Sequence, residues 1–215
     1  MRAEVIGVVT GLRAEARLAA PLGVVAAGGG TAAGAAAAAE RLAAQGVTAL
    51  VSFGLCGGLD PACPAGTLLV PRRVGEVPTD AALSARLGGW SADSLAAADR
   101  IVATRAEKQE LFAATGAAGV DLESGAVAAV AARHGLAFAV LRAVCDPAGF
   151  DLPPLAFDAL DAAGRMRPGR VAASLLARPG QLPALIALAR HAAAARAALL
   201  RRVGDILRRD RRPVA

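Results

Sequence analysis

The chain has 215 residues, 55% hydrophobic and 20% charged, which is ample for a buried core and excludes a disordered or fibrous protein. Its net charge of +6 is carried by 23 Arg and a single Lys, with 3% aromatics and no Tyr. Without interleaved rings on which bases stack, that charge reads as biased composition, and nucleic acid is not an expected partner.

Residues 5–10 form a compact apolar run and read as a strand, and residues 12–20 follow at helical composition. Residues 23–27 read as a second strand, followed by Gly28-Gly29-Gly30 and a helix over about 31–45. A β-branched run at 48–53 reads as a strand ending at Gly54, with Gly57-Gly58 as a turn, and residues 67–70 as a strand closed by Pro71. Strands this uniformly apolar belong to a sheet covered on both faces. With helices between them, the expected class is α/β: a three-layer sandwich around a mixed, largely parallel central sheet.

Residues 72–89, with Pro78 and Gly88-Gly89, pattern poorly and read as a loop with a short helix. Residues 98–103 read as a strand, 106–114 as a short helix carrying Glu107, Lys108 and Glu110, and 120–122 as a brief extended piece. A helix over 124–134 precedes the clearest buried strand, 137–144. Cys145-Asp146-Pro147 then opens a loop through Pro154, and the C-terminal third is helical, with one long helix over about 183–207. No internal repeat or boundary divides residues 1–215, which read as a single domain.

Cys56, Cys63 and Cys145 are odd in number and lack metal-ligand spacing, so a reducing cytosol fits better than a disulfide framework or zinc module. Met1-Arg2-Ala3-Glu4 leads into the first strand without a signal-peptide core, and the Ala-rich stretch 28–39 is too short and small-sided to span a bilayer. A cytoplasmic protein is the expectation.

In open α/β sheets, ligands sit beyond the carboxyl ends of strands. Glu15, Glu123 and Asp146 fall at such places. Burial after an apolar strand raises the pKa of an acid such as Asp146 and keeps it a proton donor near neutrality; Asp-Pro is equally an ordinary turn starter. Strand alternation would let only one of Asp121 and Glu123 face a site, and Asp121 reads as a solvated or helix-capping acid. For Glu123 the plain alternative is a first-turn acid favoured by the helix dipole. Gly28-Gly29-Gly30 and Gly54-Leu55-Cys56-Gly57-Gly58 permit close backbone approach to a ligand, and the first can hold an anion at a helix N-terminus, but it matches neither a dinucleotide fingerprint nor a P-loop. His134 sits at a helix end before Gly135 and His191 among alanines, an arrangement that suits neither a metal site nor a Ser-His-Asp triad. Cys145 reads as a packing residue rather than a nucleophile. Arg201-Arg202, Arg208-Arg209 and Arg211-Arg212 read as a solvated helix end, with membrane-surface contact as the alternative.

Four segments, taken in order, resemble the purine nucleoside phosphorylase and methylthioadenosine/S-adenosylhomocysteine nucleosidase superfamily. They are Ile6-Gly7-Val8-Val9-Thr10-Gly11-Leu12-Arg13-Ala14-Glu15, the glycine turn at 28–33, residues 52–60, and 120–125 with 142–146. The short middle region and Arg178-Pro179-Gly180-Gln181-Leu182-Pro183-Ala184-Leu185 resemble its hopanoid-associated phosphorylase branch, which acts on adenosylhopane in hopanoid lipid biosynthesis. The resemblance implies an enzyme that releases adenine from a 5′-substituted adenine nucleoside by cleaving its N-glycosidic bond, phosphorolysis being preferred and hydrolysis the alternative.

It also implies roles. Asp146 would protonate purine N7. Glu123 would accept from the ribose hydroxyls and stabilise the oxocarbenium-like sugar. Leu122 would stand against the ribose where the family has methionine, and Gly57 and Phe150 would line the substrate site, Phe150 at its entrance. In a phosphorylase, Arg13, Gly30 and Thr31 would hold inorganic phosphate as co-substrate, with no other cofactor and no metal. In a nucleosidase, Glu15 would help activate water. Leu55 stands where the family usually has Ser or Thr, Ser52 being a replacement contact, and no ring near residues 101–105 stacks on the base. An apolar lining suits a polycyclic hydrocarbon substituent, so the small-molecule partner would be lipid-linked. A homo-oligomer is implied. The rival reading is a non-catalytic nucleoside- or lipid-binding protein that lies at the inner membrane through its basic C-terminal helix.

Overall fold

A computed structural model describes residues 5–154 and 179–211. Met1-Arg2-Ala3-Glu4, Arg178 and Arg212, singled out in the sequence, lie outside the described residues. In chain order the elements are β1 (Ile6–Thr10), α1 (Arg13–Ala19), β2 (Val24–Ala27), α2 (Ala32–Ala44), β3 (Ala49–Gly58), β4 (Leu68–Leu69), β5 (Pro71–Val74) and β6 (Val77–Pro78). There follow α3 (Ala81–Arg86), β7 (Ala92–Ala97), α4 (Arg105–Thr115), β8 (Gly119–Asp121), α5 (Ser124–His134), β9 (Ala137–Asp146) and α6 (Leu182–Asp210).

The strands form one sheet in the order β2-β1-β3-β8-β7-β5-β6, with β9 beside β3 and β4 beside β9. β2, β1, β3 and β9 run parallel, as do β5, β7 and β8, while β3 meets β8 antiparallel. This is the expected mixed, largely parallel sheet. Alternate residues of its central strands feed two cores. Val9, Leu50 and Val140 pack with Ala35, Ala39, Val127 and Ala131 of α2 and α5. Val8, Val51 and Leu141 pack instead with Ala19, Leu83, Leu199 and Val203 of α1, α3 and α6. A period-two strand with helices on both sides has no solvent face, which is why its sequence carries no polar alternation. Each fully buried Leu or Val side chain contributes roughly 1.5–3 kcal/mol.

α6 covers the expected 183–207 helix and buries Ala195, Ala198, Leu199, Val203 and Ile206. It is long and apolar enough to cross a membrane by length and composition, yet this buried stripe lies in the core with β9, while Leu182 and Ile186 near its start are exposed.

Three local expectations are corrected. β3 does not end at Gly54, and Gly57-Gly58 is no turn: the strand runs on to Gly58, with a bulge between Cys56 and Gly57, and its end pairs with Val120 and Gly119 of β8. A bulge bends a strand, which lets β3 leave β9 and meet a second partner. Within 72–89 lies a hairpin, Val74 opposite Val77 and Arg73 opposite Pro78, turning at Gly75. Charged residues and proline suit a sheet edge, so the apolar signature of a strand is missing there. Residues 98–103 are not a strand. β7 ends at Ala97, which pairs with Asp121, the last residue of β8, so the chain beyond has no ladder partner.

Candidate active site

Glu15 occupies the third position of α1 and turns back toward β1. Its Oε2 accepts from the Leu12 amide at 2.7 Å and its Oε1 from the Leu55 amide at 3.0 Å, tying the end of β1 to β3. The side chain is buried. Burial pushes its pKa up, Arg142 opposes that, and the negative Glu123 adds to it. Gly54 makes the space. A Cβ there would lie 2.7 Å from Arg142 Nη1 and 2.8 Å from Glu15 Oε1, and its φ of 152° is one that side chains disfavour.

β9 carries Arg142 into the middle of this cluster with 1% exposure. Its Nε lies 2.6 Å from Asp121 Oδ2, and its Nη2 donates to Glu123 Oε2 at 2.7 Å and to Ser52 Oγ at 2.8 Å, while Nη1 donates to the Leu55 carbonyl at 3.2 Å. Burial disfavours its charge, but Asp121, Glu123 and Glu15 hold the guanidinium protonated even more firmly than usual. Asp121 also accepts from the amides of Glu123 and Ser124 and from the Ser124 hydroxyl. It is therefore a helix-capping acid, as one sequence reading had it, but it is buried and not solvated. Nor do Asp121 and Glu123 part to opposite faces. β8 stops at Asp121 and Glu123 has helical backbone angles, so strand alternation ends and both reach Arg142.

Asp146 ends β9, buried, with its Oδ2 2.8 Å from Lys108 Nζ. Burial raises its pKa, and the Lys108 ammonium works in the opposite direction. The Cys145 thiol donates to Asp146 Oδ1 at 3.2 Å, and burial pushes that thiol far from thiolate character, in line with a packing role.

Glu15, Glu123 and Asp146 line one cavity of about 280 Å³ at the carboxyl ends of β1, β8 and β9, together with Leu122, Gly57 and Gly30. Of the nine sequence-predicted site residues, these six come together. The other three do not line it. Arg13 is exposed at the start of α1, because the helix that buries Glu15 points its first residue outward. Thr31 is exposed, and its Oγ1 accepts from the Gly34 amide as the cap of α2. Phe150 packs edge-on against His191 of α6, ring centroids 5.1 Å apart. Ser52 lies fully buried, hydrogen-bonded to Arg142 and Ser124. His134 pairs with Glu40 on the surface. Arg142 and Lys108 received no role from sequence, although both carry a signal: one is a cation inside an apolar strand, the other the sole lysine in an arginine-rich chain.

The mixed, largely parallel α/β sheet agrees with the comparisons to known proteins. The model of the phosphorylase superfamily matches residues 12–86 and 94–177. The chain belongs to the phosphorylase superfamily. Membership makes it an enzyme acting on N-glycosyl bonds. No curated protein sequence matches it. Among solved structures, the S-adenosylhomocysteine nucleosidase of Streptococcus pyogenes is similar at TM-score 0.63 and 16% identity, over 69% of this chain and 86% of that one. Futalosine hydrolase of Helicobacter pylori reaches 0.64 at 18% identity, over 80% and 95%. The 5′-methylthioadenosine/S-adenosylhomocysteine nucleosidase of H. pylori reaches 0.65 at 15% identity, over 97% and 100%. These likenesses establish the shared fold.

Proposed function

We propose that the chain is a nucleosidase that hydrolyses the N-glycosidic bond of a 5′-substituted adenine nucleoside and releases adenine. The observation that carries this reading is the buried carboxylate of Glu15, held by the Leu12 and Leu55 amides in the cavity that Glu123 and Asp146 also line. In this scheme the Asp146 carboxyl gives its proton to purine N7 as the C1′–N9 bond opens, so adenine leaves neutral. Glu123 accepts from the ribose hydroxyls and, with Glu15, offsets the positive charge growing on the sugar. Leu122 packs against the ribose. Glu15 takes a proton from the water that attacks C1′, and burial, by raising its pKa, makes it a stronger base than an exposed glutamate.

Water is favoured over phosphate by charge. Among the described residues, the one basic side chain that lines the cavity, Arg100, is paired with Glu107 at 2.6 Å, and Arg142 beneath it is paired with Asp121 and Glu123. Arg13 points elsewhere, Thr31 caps a helix and Leu55 offers no hydroxyl. A phosphate here would meet Glu15 and Glu123, and like unit charges about 4 Å apart repel by roughly 4 kcal/mol at an effective dielectric constant near 20. A single backbone amide returns only about 1.5–3 kcal/mol to a charged acceptor and does not offset it. Phosphorolysis, preferred from the sequence resemblance, therefore yields to hydrolysis.

For the 5′ substituent we propose an apolar group, adenosylhopane being the candidate the resemblance implies. In support, Leu12, Ile101, Val102 and Leu152 line the same cavity, and Ile101 is 45% exposed. A volume of about 280 Å³ is at the small end for ligand sites, so a large substituent would project past Ile101.

The test is adenine release from 5′-methylthioadenosine with and without inorganic phosphate, with the sugar product identified. Free 5-methylthioribose at a phosphate-independent rate is expected. A strict phosphate requirement would overturn hydrolysis, and no adenine from any 5′-substituted adenosine would overturn the assignment.

A further inference from the structure

Lys108 has no part in the scheme so far. It sits in the first turn of α4, fully buried, beside the cavity but not lining it. Its Nζ lies 2.8 Å from Asp146 Oδ2 and donates to the carbonyl oxygens of Asp146 at 3.0 Å, Pro147 at 3.2 Å and Phe150 at 2.9 Å. Four acceptors thus surround three ammonium protons, and together they tie the end of β9 and the following loop to α4. The composition sharpens the point. Every other basic residue of this chain except its two histidines is arginine, whose flat fork cannot aim donors into a tetrahedral cradle.

We propose that Lys108 is a positioning residue for Asp146: it holds the carboxyl at the cavity wall and offsets the negative charge left on it when the proton departs. The inference rests on the acid role proposed above for Asp146. As the O–H bond of Asp146 breaks, N7–H forms, the C1′–N9 electron pair leaves with adenine, and Asp146 becomes a carboxylate beside the ammonium. Before transfer, the three carbonyl oxygens accept from the ammonium, so a protonated Asp146 does not strand a bare buried cation. After transfer, the ion pair is complete. Burial alone would make Asp146 too reluctant an acid. Lys108 counters it, with lesser help from the Cys145 thiol and from His191 on α6, while the buried Cys56 thiol of β3 also interacts with Asp146.

The experiment compares Lys108→Met, Lys108→Arg and Asp146→Asn in the full chain. Adenine release from 5′-methylthioadenosine is followed across pH, beside a 4-nitrophenyl riboside whose leaving group departs as a stable anion and needs no proton. For Lys108→Met, kcat for adenine release is expected to fall about tenfold or more, the alkaline limb to move up by about 1–3 pH units, and nitrophenyl turnover to stay at the wild-type rate. Lys108→Arg should return the limb toward its wild-type position with only part of kcat. An unmoved limb, or equal losses on both substrates, overturns the inference. Should Lys108→Met not fold, Lys108→Arg decides alone: a loss confined to adenine supports the inference, and no loss or an equal loss overturns it. Wild-type adenine release by Asp146→Asn would sink the acid role itself. An inactive Asp146→Asn beside a wild-type-like Lys108→Met would sink only the positioning role.

Discussion

Arg142 Nη2 lies 2.7 Å from Glu123 Oε2, so the acid proposed to grip the ribose rests on a cation at the floor of the sheet. The pair is buried, and the same guanidinium also holds Asp121. Glu123 is thus fixed before any ligand arrives. One of its oxygens is engaged by Arg142, which leaves the other for a hydroxyl.

Arg142→Met should therefore cost more than a lost contact. It leaves two buried carboxylates, Asp121 and Glu123, without their partner, and removing one member of a buried pair costs about 3–5 kcal/mol. Urea denaturation of wild type and variant measures it. A loss below about 1 kcal/mol would mean that the network does not support the fold.

Asp146→Asn and Glu15→Gln should each lower kcat for adenine release by roughly 10²–10⁴ while folding normally by circular dichroism. They should act on opposite limbs of the pH profile. Activity rises as Glu15 ionises and falls as Asp146 loses its proton, and burial raises the pKa of both. Glu15→Gln removes the acid limb and Asp146→Asn the alkaline one. The same limb lost in both variants would contradict the assignment of roles.

The raised pKa of Glu15 has a stability signature as well. The native state binds this proton more tightly than the unfolded chain, whose glutamate titrates at about 4.3. The stability of wild type relative to Glu15→Gln should be greatest below that pH and decline as pH rises through the native value. Thermal melts of both proteins over pH 4–9 provide the comparison. A difference that grows with pH would reverse the sign and refute the burial argument.

Gly11→Ala tests how closely the backbone frames the ribose acid. A Cβ at position 11 would fall 2.1 Å from Glu123 Oε1, so the carboxylate must move. Overpacking of this kind costs about 1–3 kcal/mol. KM for the nucleoside should rise with it, because the displaced group is the proposed ribose contact. Steady-state kinetics at wild-type KM would remove Glu123 from that role.

The apolar runs at 5–10, 48–53 and 137–144 announced the sheet because strands covered on both faces need no polar residues, and Glu15 and Asp146 could be picked out by their places beyond such runs, Glu123 by its place after the extended piece 120–122. The hairpin around Gly75 escaped notice since a sheet edge tolerates Arg73 and Pro78, and the strand through Gly54 did so because glycine usually signals a turn. Arg13, Thr31 and Phe150 were implied as site residues by the resemblance, yet helix phase, capping and a ring contact turn each elsewhere. Whether a buried charge is tolerable depends on partners gathered from afar. Arg142 meets acids 19 and 21 residues before it, and Lys108 meets an acid 38 residues after it. Desolvation is a property of position in space, and only folding brings together the groups that offset it.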